Sequence, residues 1–172
     1  MVNVHSSTHN DITAEATWPA FADGTPYFIN GNITINSGVR IQAGATFLFN
    51  FNTTFSIVGA SSYLIAKGTT ASPITFTGKQ LTKGYWHDLY FNNSNSTLNE
   101  LNFVNISYGG SLSFNGRGNI SMDNSSRLSI TNSVISNSGQ WGIVKYSANC
   151  ILNSDATTAN TFSGNELGNI KP

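Results

Sequence analysis

From residue 27 onward, apolar and polar residues alternate in short runs, and Asn, Gly or Ser interrupts nearly every run. Side chains two apart share one face of a strand, so each run yields an inward pair. The pairs are Ile33/Ile35, Phe47/Phe49, Phe55/Ile57, Leu64/Ala66, Ile74/Phe76, Leu89/Phe91, Leu101/Phe103, Leu112/Phe114, Ile120/Met122 and Leu128/Ile130. Breakers stand at Ser37-Gly38, Ala43-Gly44, Lys67-Gly68, Thr77-Gly78, Gly109-Gly110 and Ser138-Gly139. The pattern predicts many short strands. Ala14-Glu15-Ala16 is a weak helix start, but the window closed by Pro19 and Pro26 is too short to hold one. Residues 1–11 lack the alternation and are expected to form a flexible N-terminal arm, with residues 12–172 as one domain.

Such strands build either an antiparallel sandwich or a parallel solenoid. Asn-Gly occurs at 30–31 and 115–116, yet few matched runs flank a two-residue turn, so the hairpin signal is poor. Repetition is the better signal. Apolar pairs recur from Ile33 to Phe55 to Ile74 and from Leu101 to Ile120, at spacings of 22, 19 and 19. Ile135 with Ile143 is echoed by Phe162 with Ile170, a shift of 27. A period of about 20–27 residues suits one solenoid coil and predicts an all-β parallel solenoid of five to seven coils.

Composition agrees. Charged residues are 9%, against about 25% in ordinary domains. Asn, Ser and Thr supply 63 of the 172 residues, the types that tolerate tight corners. Eight basic and eight acidic groups leave no net charge, which argues against nucleic-acid binding and basic membrane docking. No apolar run has the length of a membrane span. Cys150 stands alone and reads as a small buried hydrophobe, so stability must come from packing. Met1 is followed by a polar stretch that is not a signal peptide. Seven Asn-X-Ser/Thr sequons, at Asn32, Asn52, Asn92, Asn95, Asn105, Asn119 and Asn124, are what this composition yields by chance, and glycosylation is not inferred.

The runs YLIAKGTTASPITFTG (63–78), GYWHDLYFNNSNSTLNELNFVNISYGGS (84–111) and LSITNSVISNSGQWGI (128–143) closely resemble right-handed parallel β-helix proteins. The upstream segment 17–49 follows the same outline, so the resemblance covers roughly residues 12–170. More narrowly, the chain is similar to cell-surface β-helix proteins common in Bacteroidetes-type bacteria. That resemblance implies a secreted or surface-exposed protein. The related pectate-lyase-like superfold also includes lyases and hydrolases of acidic polysaccharides. One departure is Trp86-His87-Asp88-Leu89, where the pattern has W-x-G-I, so Asp88 takes the place of a turn glycine.

Fold does not carry function, so the chemistry is read residue by residue. A lyase site needs an acidic cluster for calcium beside a basic group, and a glycosidase needs paired carboxylates. The acids Asp11, Glu15, Asp23, Asp88, Glu100, Asp123, Asp155 and Glu166 are scattered, as are Arg40, Arg117 and Arg127. Asp88 and Asp123 form a site only if their coils stack. His5 and His9, four apart and near Asp11, have a metal-binding spacing only on a helix, which this segment does not favour. His87 beside Asp88 is expected to point to the opposite face and to remain a surface histidine. No metal, cofactor or catalytic residue is therefore expected. Trp86, Tyr90, Tyr108 and Trp141 fall near turns and are the candidate carbohydrate platform, with coil-edge packing as the alternative role. Trp18 is expected to cap the first coil. The hydroxyl pairs Thr54/Ser56, Thr75/Thr77, Ser111/Ser113 and Ser129/Thr131 would order water if they share one face, which makes ice binding a third reading. Open solenoid ends expose strand edges, so end-to-end self-association is expected. The leading reading is a non-catalytic extracellular structural or adhesive module whose partner is a glycan or other surface polymer. A polysaccharide lyase or hydrolase is the alternative.

Overall fold

The computed structural model describes residues 1–4, 11–113 and 116–171. Its strands come three to a coil. The first coil holds β1 (Val2–Val4), β2 (Asp11–Ile12) and β3 (Ala16–Trp18), and the second β4 (Tyr27–Ile29), β5 (Ile33–Ile35) and β6 (Gly38–Ile41). The third holds β7 (Thr46–Phe49), β8 (Thr54–Val58) and β9 (Tyr63–Lys67), and the fourth β10 (Ile74–Gly78), β11 (Asp88–Asn92) and β12 (Glu100–Asn102). Then follow β13 (Val104–Ser107), β14 (Gly118–Asp123) and β15 (Arg127–Thr131), and β16 (Val134–Ser136), β17 (Trp141–Lys145) and β18 (Ile151–Leu152). The strands β19 (Thr161–Ser163) and β20 (Gly168–Ile170) close the chain.

Every third strand pairs, always in parallel. Sheet A is β1-β4-β7-β10-β13-β16-β19, sheet B is β2-β5-β8-β11-β14-β17-β20, and sheet C is β3-β6-β9-β12-β15-β18. The protein is thus a parallel β-solenoid of about six turns, and no helix occurs among the described residues. The solenoid begins earlier than the alternation suggested. Val2–Val4 pairs with Tyr27–Ile29, and Asp11–Ile12 pairs with Thr34–Ile35. Residues 2–4 and 11 therefore belong to the first coil rather than to an arm, and His5 and His9 lie outside the described residues.

Inward side chains stack rung on rung. In sheet A the column runs Tyr27, Phe47, Phe76, Ile106, Ile135, Phe162. In sheet B it runs Ile33, Phe55, Leu89, Ile120, Ile143, Ile170. The Tyr27, Phe47 and Phe76 rings stack at 4.9 and 5.1 Å with near-parallel planes. Trp18 lies on Phe47 at 5.4 Å and meets Phe55 edge-on, so it is a rung residue of β3 that packs against the following coils rather than a cap outside the first coil. Cys150 is buried in this core.

Two of the inward pairs do not hold. Leu112 is exposed in the loop between β13 and β14 (Phe114 lies outside the described residues). Phe103 is a corner residue with φ +50°, and the inward pair of that run is Val104/Ile106. The true rung partners also correct the repeat. Ile33 does pair with Phe55, and the shift of 27 in the last coils is real. Ile74 and Phe55, however, lie in different sheets, as do Leu101 and Ile120. Loops 79–87 and 93–99 lengthen the fourth coil, so Phe55 meets Leu89, Ile74 meets Val104 and Leu101 meets Ile130.

Several Asn residues have a local cause at the corners. The residue after sheet B is Gly59, Asn93 or Asn124 in successive coils, with φ of +100°, +53° and +53°. After sheet A it is Tyr108, Asn137 or Gly164, at +63°, +53° and +65°. After sheet C, Phe103 and Asn132 stack at +50° and +51°. These corners use left-handed backbone, which Asn and Gly adopt most readily.

Two stability measurements test this architecture. Phe47→Ala removes the centre of the aromatic stack and should cost about 3–5 kcal/mol in denaturant unfolding, while Leu112→Ala should stay within about 0.5 kcal/mol. Asn137→Ala should cost about 1 kcal/mol, because alanine bears the left-handed backbone at φ +53° without the local polar side chain that lets Asn tolerate it, whereas Asn137→Gly should be nearly neutral.

Candidate functional site

The three outer faces of the solenoid differ in chemistry. On sheet B, outward residues alternate with the core column: Thr54 is level with Asp88, and Ser56, Tyr90, Ser121 and Val144 form the next line. Asp88 is the one charged side chain among the described residues that is buried. Its Oδ2 accepts from Arg117 Nη1 at 2.6 Å, and Arg117 is itself largely covered. Burial pushes the Asp88 carboxyl up from its ordinary range, opposed by Arg117 and by hydroxyls of Ser121 and Thr54. Asp88 opens β11 in extended conformation, so no turn glycine is missing there.

His87 does not point away from Asp88 as adjacent strand residues would. It precedes the strand, where alternation has not begun, and its Nδ1 lies 3.0 Å from Thr54 Oγ1. Thr54 is also level with Asp88 on the paired strand, so it stands beside both residues. Desolvation, with Arg117 nearby, lowers the His87 pKa to about 4. Asp123 lies on the neighbouring strand but level with Asn92, four residues along β11 from Asp88. At about 3.3 Å per residue that is roughly 13 Å, longer than the separations of paired glycosidase carboxylates. Among the described residues, no group of three or more His, Cys, Asp or Glu side chains is placed to hold a metal ion.

The four aromatic candidates do not form one platform. Trp86 is fully buried, stacked on Phe49 at 4.0 Å, and its Nε1 donates to the Ser107 carbonyl at 2.8 Å. A Cβ on Gly109 would stand 3.1 Å from that indole, so the glycine leaves room for it. Gly84 and Tyr85 donate backbone bonds to the 108–109 carbonyls, and Gly110 donates to His87. The G-Y-W and Y-G-G segments are therefore a clasp between coils, and Trp86 is corrected from ligand to packing residue. Tyr90 is half-buried on sheet B and donates to Asp123 Oδ2 at 3.2 Å. Burial and that carboxylate push its phenol up to about 12. Tyr108 sits at the corner after sheet A, half-buried. Trp141 lies in β17, between Gly118 and Gly168 in register, and its ring lies 3.0 Å from where a Gly168 Cβ would stand.

Sheet C carries paired charge outward. Lys67 meets Glu100 at 2.7 Å, Arg40 lies 5.5 Å over the Tyr63 ring, and the Tyr63 hydroxyl donates to Glu15. Sheet A is the contrast. From β7 to β19 its outward lines are Thr46, Thr75, Asn105, Val134, Thr161 and Leu48, Thr77, Ser107, Ser136, Ser163. Neither contains an ionisable group. Thr77 Oγ1 and Ser107 Oγ are 2.9 Å apart across the rungs. Lys79 lies 4.5 Å over the Phe28 ring, at the β4 end of the face. Of the four hydroxyl pairs read from the sequence, only Thr75/Thr77 belongs here. Thr54/Ser56 is on sheet B, Ser129/Thr131 on sheet C and Ser111/Ser113 in a loop. Beside sheet A, a cavity of about 330 Å³ is lined by Phe103, Asn132, Val134, Thr158 and Thr161 among others. The sequence signal for this array was the repeated outward pattern of T-F-T, N-I-S, V-I-S and T-F-S, hidden by unequal coil lengths.

The chain matches no protein-family model, no curated protein and no solved structure.

Two variants test the Asp88 cluster. Arg117→Ala leaves a buried carboxylate unpaired and should cost about 3–5 kcal/mol, a deficit that shrinks as acid protonates Asp88. His87 binds its proton less readily folded than unfolded, so it subtracts stability as pH falls from 6.5 through about 4. Asp88, with its folded pKa raised, acts with the opposite sign. His87→Asn should therefore lose less stability than the parent between about pH 7 and about pH 4.5, read by urea midpoints.

Proposed function

We propose that the chain is a non-catalytic, extracellular structural and adhesive module, secreted or held at a cell surface, of the kind borne by Bacteroidetes-type bacteria. The observation that carries this reading is the outer face of sheet A: five successive strands present hydroxyl, amide and small apolar groups with no charge. The rest of the chain supports such a face. A continuous core joins the coils, and left-handed corners recur from the third coil onward, so the array is held on a stacked scaffold. The buried carboxylate is committed to Arg117, and its nearest acidic neighbour along the stacked strands is too far for paired acid–base work.

The test is to incubate the protein with pectin and alginate and follow unsaturated and reducing ends, while a broad glycan array reports binding. No turnover and retention on at least one glycan class is the expected result. Turnover that disappears in Asp88→Asn would replace this reading with the enzymatic one.

A further inference from the structure

Resting on that adhesive reading, we infer that sheet A, with the cavity beside Phe103, binds a neutral, extended, linear polysaccharide laid along the solenoid axis. Charge selects the class of partner. Each of the other faces carries ionised groups, among them Lys67 with Glu100 on sheet C and Arg117 with Asp88 on sheet B. From β7 to β19 neither line of sheet A holds a cation to attract a polyuronate or an anion to attract a polyamine, and Lys79 stands beyond them over the Phe28 ring. Its groups are those that hydrogen-bond hydroxyls without a desolvated charge.

Spacing selects the shape. Rungs recur about every 4.8 Å, so five strands span roughly 19 Å. An extended chain of pyranose rings advances by a similar step per sugar, so each ring meets one rung. A branched or coiled polymer loses that match after one or two contacts.

Phe103 marks where the face becomes a site. Its corner slot needs left-handed backbone, and the stacked residue of the next coil is Asn132. A bulky aromatic is costly there, and strain of this kind persists where the surroundings enforce it and clusters at binding sites. Phe103 lines the cavity together with Asn132, Thr158, Val134 and Thr161, and the last two belong to the sheet A array. An apolar wall beside amides and hydroxyls is what a sugar ring requires, with one face for its C–H groups and an edge for its hydroxyls.

The experiment uses the whole chain, insoluble neutral β-linked glucan, its soluble oligomers and a polyuronate, with calorimetry for the soluble ligands. Neutral glucan should be retained, with affinity rising with length until about five rungs are spanned. Phe103→Asn removes the ring but suits the corner backbone, so it should keep the fold by circular dichroism and weaken binding roughly tenfold or more. Thr75→Lys, at an outward site on the array, should do the same, while Ser129→Lys on sheet C should not. Retention of the polyuronate alone, or neutral binding untouched by both face variants, overturns this assignment and leaves adhesion standing. No retention on any polymer overturns both. Thermal hysteresis without glycan retention gives the face to ice instead and overturns the assignment.

Discussion

Parallel rungs impose one demand on every coil: the side chain pointing inward must meet the side chain above and below it. The backbone ladder is satisfied by neighbours whatever the residues are, so it does not choose the register. Register is chosen by the column, because a one-residue slip would turn Phe47, Phe55 or Ile106 outward and bring Leu48, Ser56 or Asn105 into the tube. The stacked Tyr27, Phe47 and Phe76 rings are the strongest statement of that demand. Once the inward column is set, the outward lines follow with no further freedom. The sheet A array exists because the core is in register.

That dependence explains what was legible beforehand. Eight of the ten inward pairs are read from alternation because period two survives any coil length. Which pairs stack is a different question, since it depends on the number of residues between them. The step from Tyr27 to Phe47 is 20 residues, whereas that from Ile65 to Glu100 is 35. Loops can grow at the corners at little entropic cost, and this erases the period while leaving the rungs intact. Phe103 and Leu112 were misplaced because apolar character alone does not separate a rung from a corner. The positive φ at Phe103 makes the difference, and no composition reports it.

The candidate site shows the same limit. Trp86 stands beside turn residues and so reads as exposed, yet Gly109 of the next coil opens the space that buries it. Adjacent strand residues diverge, yet His87 reaches Thr54, more than thirty residues earlier and level with Asp88. In each case a contact between coils decides the role, and such contacts are set by loop lengths that the sequence does not expose. The corners are the exception. Asn and Gly after successive strands are a local requirement, and they account for Asn93, Asn124, Asn132 and Asn137.

The three faces share one scaffold, so their differences cannot be attributed to the fold. Columns in sheets B and C accept charge where a partner lies within reach: Arg117 for Asp88, Glu100 for Lys67. An isolated charge in sheet A would be equally tolerable to the fold, since half-exposed outward positions are solvated. Five consecutive strands nonetheless carry none. Stability does not demand that neutrality, and solubility works against it, because a bare neutral face promotes association. A face that contacts an uncharged, hydroxyl-rich surface has a reason to exclude ions, since each would have to shed its water without gaining a partner. On the proposed reading, that neutrality suits what meets sheet A and is not required by what lies beneath it.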